Sequence, residues 1–143
     1  MKILATVGLS FLTLVACSSD RVSSSLPFFP QVAPQPPGSE ELWLLAAYRG
    51  KLVVENGCVR LRPLEGTHST TVLWYQGIEL DRDKSGLLLR GGRSGKITRF
   101  NTLSEFGGGE APAEYIERDY PEVARRCGPP YAFGYPANVY DAP

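Results

Sequence analysis

Gly50-Lys51-Leu52-Val53-Val54-Glu55-Asn56-Gly57-Cys58-Val59-Arg60-Leu61-Arg62 decides the fold. Two β-branched, apolar runs flank Asn-Gly. A two-residue hairpin turn of the right twist needs positive φ at both central positions, and Asn-Gly tolerates that best. Side chains alternate across a strand, so Val59 and Leu61 share one face, expected in the core, while Cys58, Arg60 and Arg62 share the other. A disulfide from Cys58 is placed to staple a later segment onto that second face.

Downstream the pattern stays short and punctuated. Pro63–Ser69 reads as a loop and Thr70–Tyr75 as a strand, with Ile78–Leu80 resuming after Gln76-Gly77. Asp81–Gly86 is a charged turn, Leu87-Leu88-Leu89 a buried strand, Gly91–Gly95 a tight turn, and Lys96–Phe100 a returning strand. Gly107-Gly108-Gly109 reads as a flexible turn. Glu114–Arg126 holds one or two helical turns with Pro121 at a first helical position, and Tyr131–Tyr135 closes the sequence of strands. Leu42–Ala47 reads as either a short helix or a strand. The expectation is an all-β domain: a small antiparallel barrel, OB-like, or a sandwich of five to six short strands, with one short helix before the last strand. Fifteen glycines and twelve prolines in 143 residues argue against long helices.

Upstream of the domain, Ile3–Ala16 is apolar or small throughout and follows Lys2. About 14 residues fall short of the ~20 that span a bilayer as a helix, which favours a signal peptide. Its end, Leu14-Val15-Ala16-Cys17, resembles a bacterial lipobox. The resemblance implies cleavage after Ala16 and acylation of Cys17, so that two or three chains hold the protein on a membrane. Ser18, standing where Asp would retain a lipoprotein at the inner membrane, implies the outer membrane in a two-membrane bacterium. Residues 17–41, rich in Ser, Pro and Gln, read as an extended tether. Within it Pro27-Phe28-Phe29-Pro30 stands out as a segment that docks on its own domain, the bilayer or a partner. The organisation expected is therefore a signal peptide (1–16), a lipidated tether (17–41) and a β-domain (42–143).

The chain carries fifteen basic and fifteen acidic residues. That balance disfavours nucleic acid. With Cys17 lipidated, Cys58 and Cys127 remain, and two thiols in an oxidising envelope read as one disulfide. Gly50–Leu61 also resembles a segment of small uncharacterised bacterial envelope proteins, many of them lipoproteins. In those it precedes a Trp-bearing strand, a Gly-Gly-Gly-Glu turn and a late Cys-x-Gly-Pro, matched here by Trp74, Gly107–Glu110 and Cys127–Pro130. The match departs at Tyr75-Gln76-Gly77, where prolines are expected, and at Asn101-Thr102, where Gly-Asp is. The resemblance implies the architecture and the Cys58–Cys127 pairing and transfers no catalytic residue.

Catalytic patterns are thin. His68 with Ser69 and Asp81 or Asp83 lacks a nucleophile-elbow motif. Cys58, His68 and Cys127 lack metal-ligand spacing, and no metal or other cofactor is expected. Gly92–Lys96 lacks the residues of a phosphate loop. The carboxylates Asp81/Asp83 and Glu110/Glu114 fall in loops. A binding surface is the stronger candidate: Arg60, Arg62 and Arg99, with Arg90 and Arg93, on one sheet face beside Trp74 or Tyr75, suited to an anionic glycan or peptide. The reading is a non-enzymatic protein of the cell envelope, attached to a membrane through Cys17, with an envelope protein or cell-wall glycan as partner.

Overall fold

The computed structural model describes residues 25–38 and 46–139; the leader, Cys17 and Leu42–Leu45 lie outside these. Eight strands and two helices follow in chain order: β1 Ala46–Glu55, β2 Cys58–Pro63, β3 Thr70–Trp74, β4 Ile78–Asp83, β5 Gly86–Gly91, β6 Ile97–Arg99, β7 Leu103–Ala111, α1 Ala113–Asp119, α2 Pro121–Cys127 and β8 Tyr131–Pro136. Five strands close a small barrel in the order β1-β2-β3-β8-β7, and β4-β5-β6 form a separate three-stranded sheet. All barrel pairs are antiparallel except β3 with β8. The β1–β2 turn has positive φ at both Asn56 (52°) and Gly57 (76°), as the Asn-Gly signal requires.

Alternation along the strands separates two cores. Leu52, Val59, Leu61, Val72, Trp74, Phe106 and Ala132 form the first, joined by Ile78 and Leu89 of the small sheet and by Val139. Leu73, Ala111 and Tyr131 face the other way and meet Ile116 of α1 and Val123 of α2. One face of the β3–β8 pair thus lines the barrel while the opposite face seats the helices. Each large apolar side chain fully buried here stabilises the fold by roughly 1.5–3 kcal/mol relative to exposure.

Three expectations are corrected. The helical region holds two seven-residue helices, broken at Tyr120 because Pro121 can start a helix but cannot continue one. Asp81 and Asp83 lie in strand β4, which runs on to a turn at Lys84-Ser85, because Asp81 and Asp83 are held by cross-strand arginines. Gly107–Gly109 is no turn but the middle of β7, paired throughout with β8 and, at Gly107 and Gly108, with β1. Glycine is required there by close approach. A Cβ on Gly107 would stand 2.3 Å from the Tyr135 ring, and one on Gly108 (φ 151°) 2.0 Å from the Phe133 carbonyl oxygen.

Within the stretch expected as a tether over residues 17–41, residues 28–32 pair with the barrel. Phe28 pairs with Cys58 of β2 and Gln31 with Trp74 of β3. The β2–β3 ladder itself spans only Arg60–Thr71 and Leu61–Thr70, and the segment fills the opening beyond it. Phe28 N–H donates to Gly57 O (2.7 Å), Val59 N–H to Phe28 O (2.9 Å), Trp74 N–H to Pro30 O (2.9 Å) and Val32 N–H to Trp74 O (2.9 Å). Pro27 and Pro30 have no N–H and fall where none is needed. Phe29 stacks on Trp74 (5.9 Å between centroids), and Phe28 joins the helix-side core under the Arg126 guanidinium, 3.9 Å from its ring centroid. The segment therefore docks on its own domain, and residues 28–32 are part of the described fold.

Replacement of Gly108 by Ala is expected to cost about 3 kcal/mol, since both backbone conformation and the Phe133 carbonyl oppose a side chain. Gly57→Ala, with positive φ but open space around it, is expected to cost only about 1 kcal/mol. Urea unfolding of the two variants measures the difference.

Candidate functional site

The second face of β2 is where the sequence placed both a staple and a binding surface. Cys58 there is joined to Cys127 at the end of α2, with Cα atoms 5.8 Å apart. The link brings the α2 C-terminus and the following loop down over β2, and Arg60, two residues along the same face, is covered with Cys58. Arg60 is 6 % exposed. Its guanidinium donates to the carbonyls of Cys127, Gly128 (3.4 Å) and Pro129 (3.2 Å), and to Ser69 Oγ (2.8 Å) and Ser69 O (2.7 Å). A helix leaves its last carbonyls unpaired and carries partial negative charge at that end. Arg60 answers both, helped by Thr71 Oγ1, which donates to Gly128 O (2.7 Å).

The charge balance continues outward. Ser69 Oγ donates to Glu55 Oε2, Arg62 pairs with Glu55 Oε1, and Arg60 Nε lies 3.9 Å from Glu55 Oε2. The Ser69 hydroxyl, and then Arg62, hold the Glu55 carboxyl below its ordinary range. Burial pushes the Arg60 guanidinium down from its ordinary value while Glu55 opposes the shift. Arg60 is thus a structural cation.

The proposed arginine face is corrected accordingly. Trp74 is fully buried in the barrel core, where strand alternation directs it, and Tyr75 packs beside that core with Tyr135 at 5.7 Å. Arg62 is exposed on β2 and engaged with Glu55. Arg90 and Arg99 stand on the small sheet, paired with Asp81 (3.0 Å) and Asp83 (2.7 Å). Arg93 sits in the β5–β6 turn. Arg60 and Trp74 are therefore buried, and the remaining arginines are divided between the barrel and the small sheet.

The catalytic candidates are likewise dispersed. His68 is exposed in its loop, and the neighbouring Ser69 hydroxyl is shared between Arg60 and Glu55. Among the described residues no group of three or more His, Cys, Asp or Glu is placed to hold a metal ion. Asp83 is held down to about 2 by Arg99 and by the Ser85 N–H.

What the fold does open is a cavity of about 700 Å³ at one end of the barrel, where β1 begins, β2 ends and β3 and β8 start. Ala46, Tyr48, Leu61, Ala111, Pro130 and Tyr131 set its apolar character, and Thr70 and Glu110 add polar groups. Tyr48 stacks on Phe106 (6.2 Å), and its Oη lies over Gly134, where a Cβ would be 2.8 Å away. That hydroxyl has no hydrogen-bond partner among the described residues, and burial, with Tyr75 and Tyr135 adding to it, pushes its pKa up to about 12. Sequence reading missed this cavity because it is bounded by strand ends that periodicity does not align.

Comparison with protein-family models, curated proteins and solved structures finds no match, so any functional reading rests on the residues themselves.

Arg60→Ala is expected to cost about 3–5 kcal/mol, because Glu55 loses its buried partner and the α2 carbonyls lose their donor. Arg60→Lys, lacking the planar fork, is expected to recover only part of that. Denaturant midpoints of both variants check this. Asp83 gives a pH signature. Its folded pKa lies below the unfolded 3.8, so its contribution is present above about pH 4 and is lost as pH falls toward 2. Asp83→Asn should flatten the acid limb of the stability profile in that window and leave the slope of the profile above pH 5 unchanged; thermal melts across pH 2–6 measure it.

Proposed function

We propose that this chain is a lipid-anchored protein of the cell envelope whose barrel is a non-enzymatic module for binding a protein or cell-wall partner. The observation that carries the reading is the fate of its three cysteines. Cys58 and Cys127 are consumed by a disulfide, a bond that persists in oxidising compartments. Cys17 is left at the end of an apolar leader, preceded by the Leu-x-Ala of a lipobox, in the position that accepts a lipid. No helix among the described residues is long and apolar enough to cross a membrane, and an acyl anchor needs none. Of the side chains that offered themselves for catalysis, Ser69, Asp81 and Asp83 are engaged in holding strands or loops together. By the same lipobox comparison, Ser18 assigns the outer membrane in a two-membrane source.

Radiolabelled palmitate fed to expressing cells is expected to enter the wild-type protein and not Cys17→Ser, and the variant is expected to leave the membrane fraction. An intact Cys17 thiol in the mass spectrum of envelope-purified protein would end the reading. The same preparation tests the brace. Removing the disulfide with Cys58→Ala/Cys127→Ala, which opens a bond across 69 residues of sequence, should cost about 4 kcal/mol in unfolding free energy.

A further inference from the structure

We infer that the Val54–Gly57 end of the barrel is a membrane-facing surface that rests on anionic phospholipid, with the mouth cavity held away from the bilayer. The inference rests on the lipid-anchor reading and adds an orientation to it.

Few large apolar side chains are exposed among the described residues: Leu26 (48 %), Val54 (43 %), Leu64 and Leu103. Leu26 and Val54 line one shallow groove of about 530 Å³, together with Leu87 and the guanidinium-bearing Arg82 and Arg126. Arg82 is exposed and makes no ion pair among the described residues. Arg126 lies over Phe28 and also meets Glu122 at 3.1 Å. Lys84 follows in the adjoining exposed turn. Two apolar side chains rimmed by cations match the layering of a bilayer surface, where acyl chains lie beneath phosphate headgroups.

Chain length supplies the partner. Leu26 stands nine residues after Cys17, so even a fully extended connection holds the groove within roughly 30 Å of the anchored sulfur. Tethering at that range gives an effective concentration on the order of millimolar, enough to populate a weak surface contact. The opposite end of the same hairpin carries the mouth cavity. Ala46 and Pro63 line the cavity whereas Val54 and Gly57 line the groove. Eight residues of β1 at ~3.3 Å each put about 26 Å between the two.

The test supplies the anchor chemically. The chain from Cys17 to Pro143 retains every described residue and, with the disulfide formed, exposes Cys17 as its one free thiol. It is coupled through that thiol to maleimide-headgroup lipid in vesicles of phosphatidylcholine with or without phosphatidylglycerol. Leu26→Trp serves as reporter, read as the difference from the parent chain. On phosphatidylglycerol vesicles the reporter should shift to the blue and be quenched by brominated acyl chains. Arg82→Glu, and separately 1 M salt, should abolish both effects while the urea midpoint stays unchanged. Emission identical on and off the vesicle, which a groove reserved for a protein partner would give, overturns the proposal. So does quenching that is equal on neutral and anionic vesicles or equal in Arg82→Glu. Because coupling is chemical, such a failure leaves the acylation of Cys17 in cells untouched, and a missing acyl group in cells leaves this result standing.

Discussion

A guanidinium buried beside a disulfide is the constraint on which the rest of this fold depends. Arg60 collects the last carbonyl of α2, those of Gly128 and Pro129 after it and the backbone of Ser69 around one cation, and the Cys58–Cys127 bond holds those partners within reach. A buried charge is tolerated only when it is paired and fully hydrogen-bonded. Here Glu55 supplies the counter-charge from the neighbouring strand and carbonyls supply the acceptors. The seven-residue helices, too short to be stable alone, are thereby fixed on the outer face of β3 and β8. The loop that leads into β8 is fixed with them, so the one parallel contact of the barrel, β3 with β8, is aligned by the same cluster.

The second constraint is steric. Five strands make a narrow barrel, and its interior is crowded with Trp74, Phe106 and Tyr48. Strands close around such rings only where backbone replaces side chain. Gly134 provides that space beneath Tyr48 and Gly107 beneath Tyr135, while Gly108 lets β7 approach the Phe133 backbone. β2 and β3 pair over only two residue pairs, and beyond them Phe29, arriving with the inserted segment, stacks on Trp74.

The hairpin was legible in the sequence because its signal is local: Asn56-Gly57 sets the turn and alternation assigns Val59 and Leu61 inward. The barrel, the helical segment before the last strand and the two-cysteine pairing followed from similar short-range or counting logic. What escaped depends on partners distant in sequence. The Gly107–Gly109 run looks flexible until Tyr135 and Phe133 lie against it. Two aromatics in the proline-rich segment signal docking on the domain, but the gap between β2 and β3 that receives them shows only in the fold. Arg60 illustrates the limit best. Its face was assigned correctly, yet it was read as a ligand-binding group, although a staple at Cys58 implies that a residue two positions along is covered as well. Trp74 failed for the converse reason: alternation within β3 directs it with Val72 into the core, and aromatic character alone pointed to a surface.

The inserted segment also sets how the module bears load. A chain pulled from its N-terminal side transmits tension at Phe28, whose backbone bonds attach to Gly57 and Val59, beside the sulfur bridge. Force is therefore delivered into the covalently reinforced corner of the molecule and shared with β3 through Pro30 and Val32. The far opening lies at the other ends of those same two strands, where β2 ends and β3 starts. Tension entering from the N-terminal side would thus strain the best-secured joint before it reaches the opening.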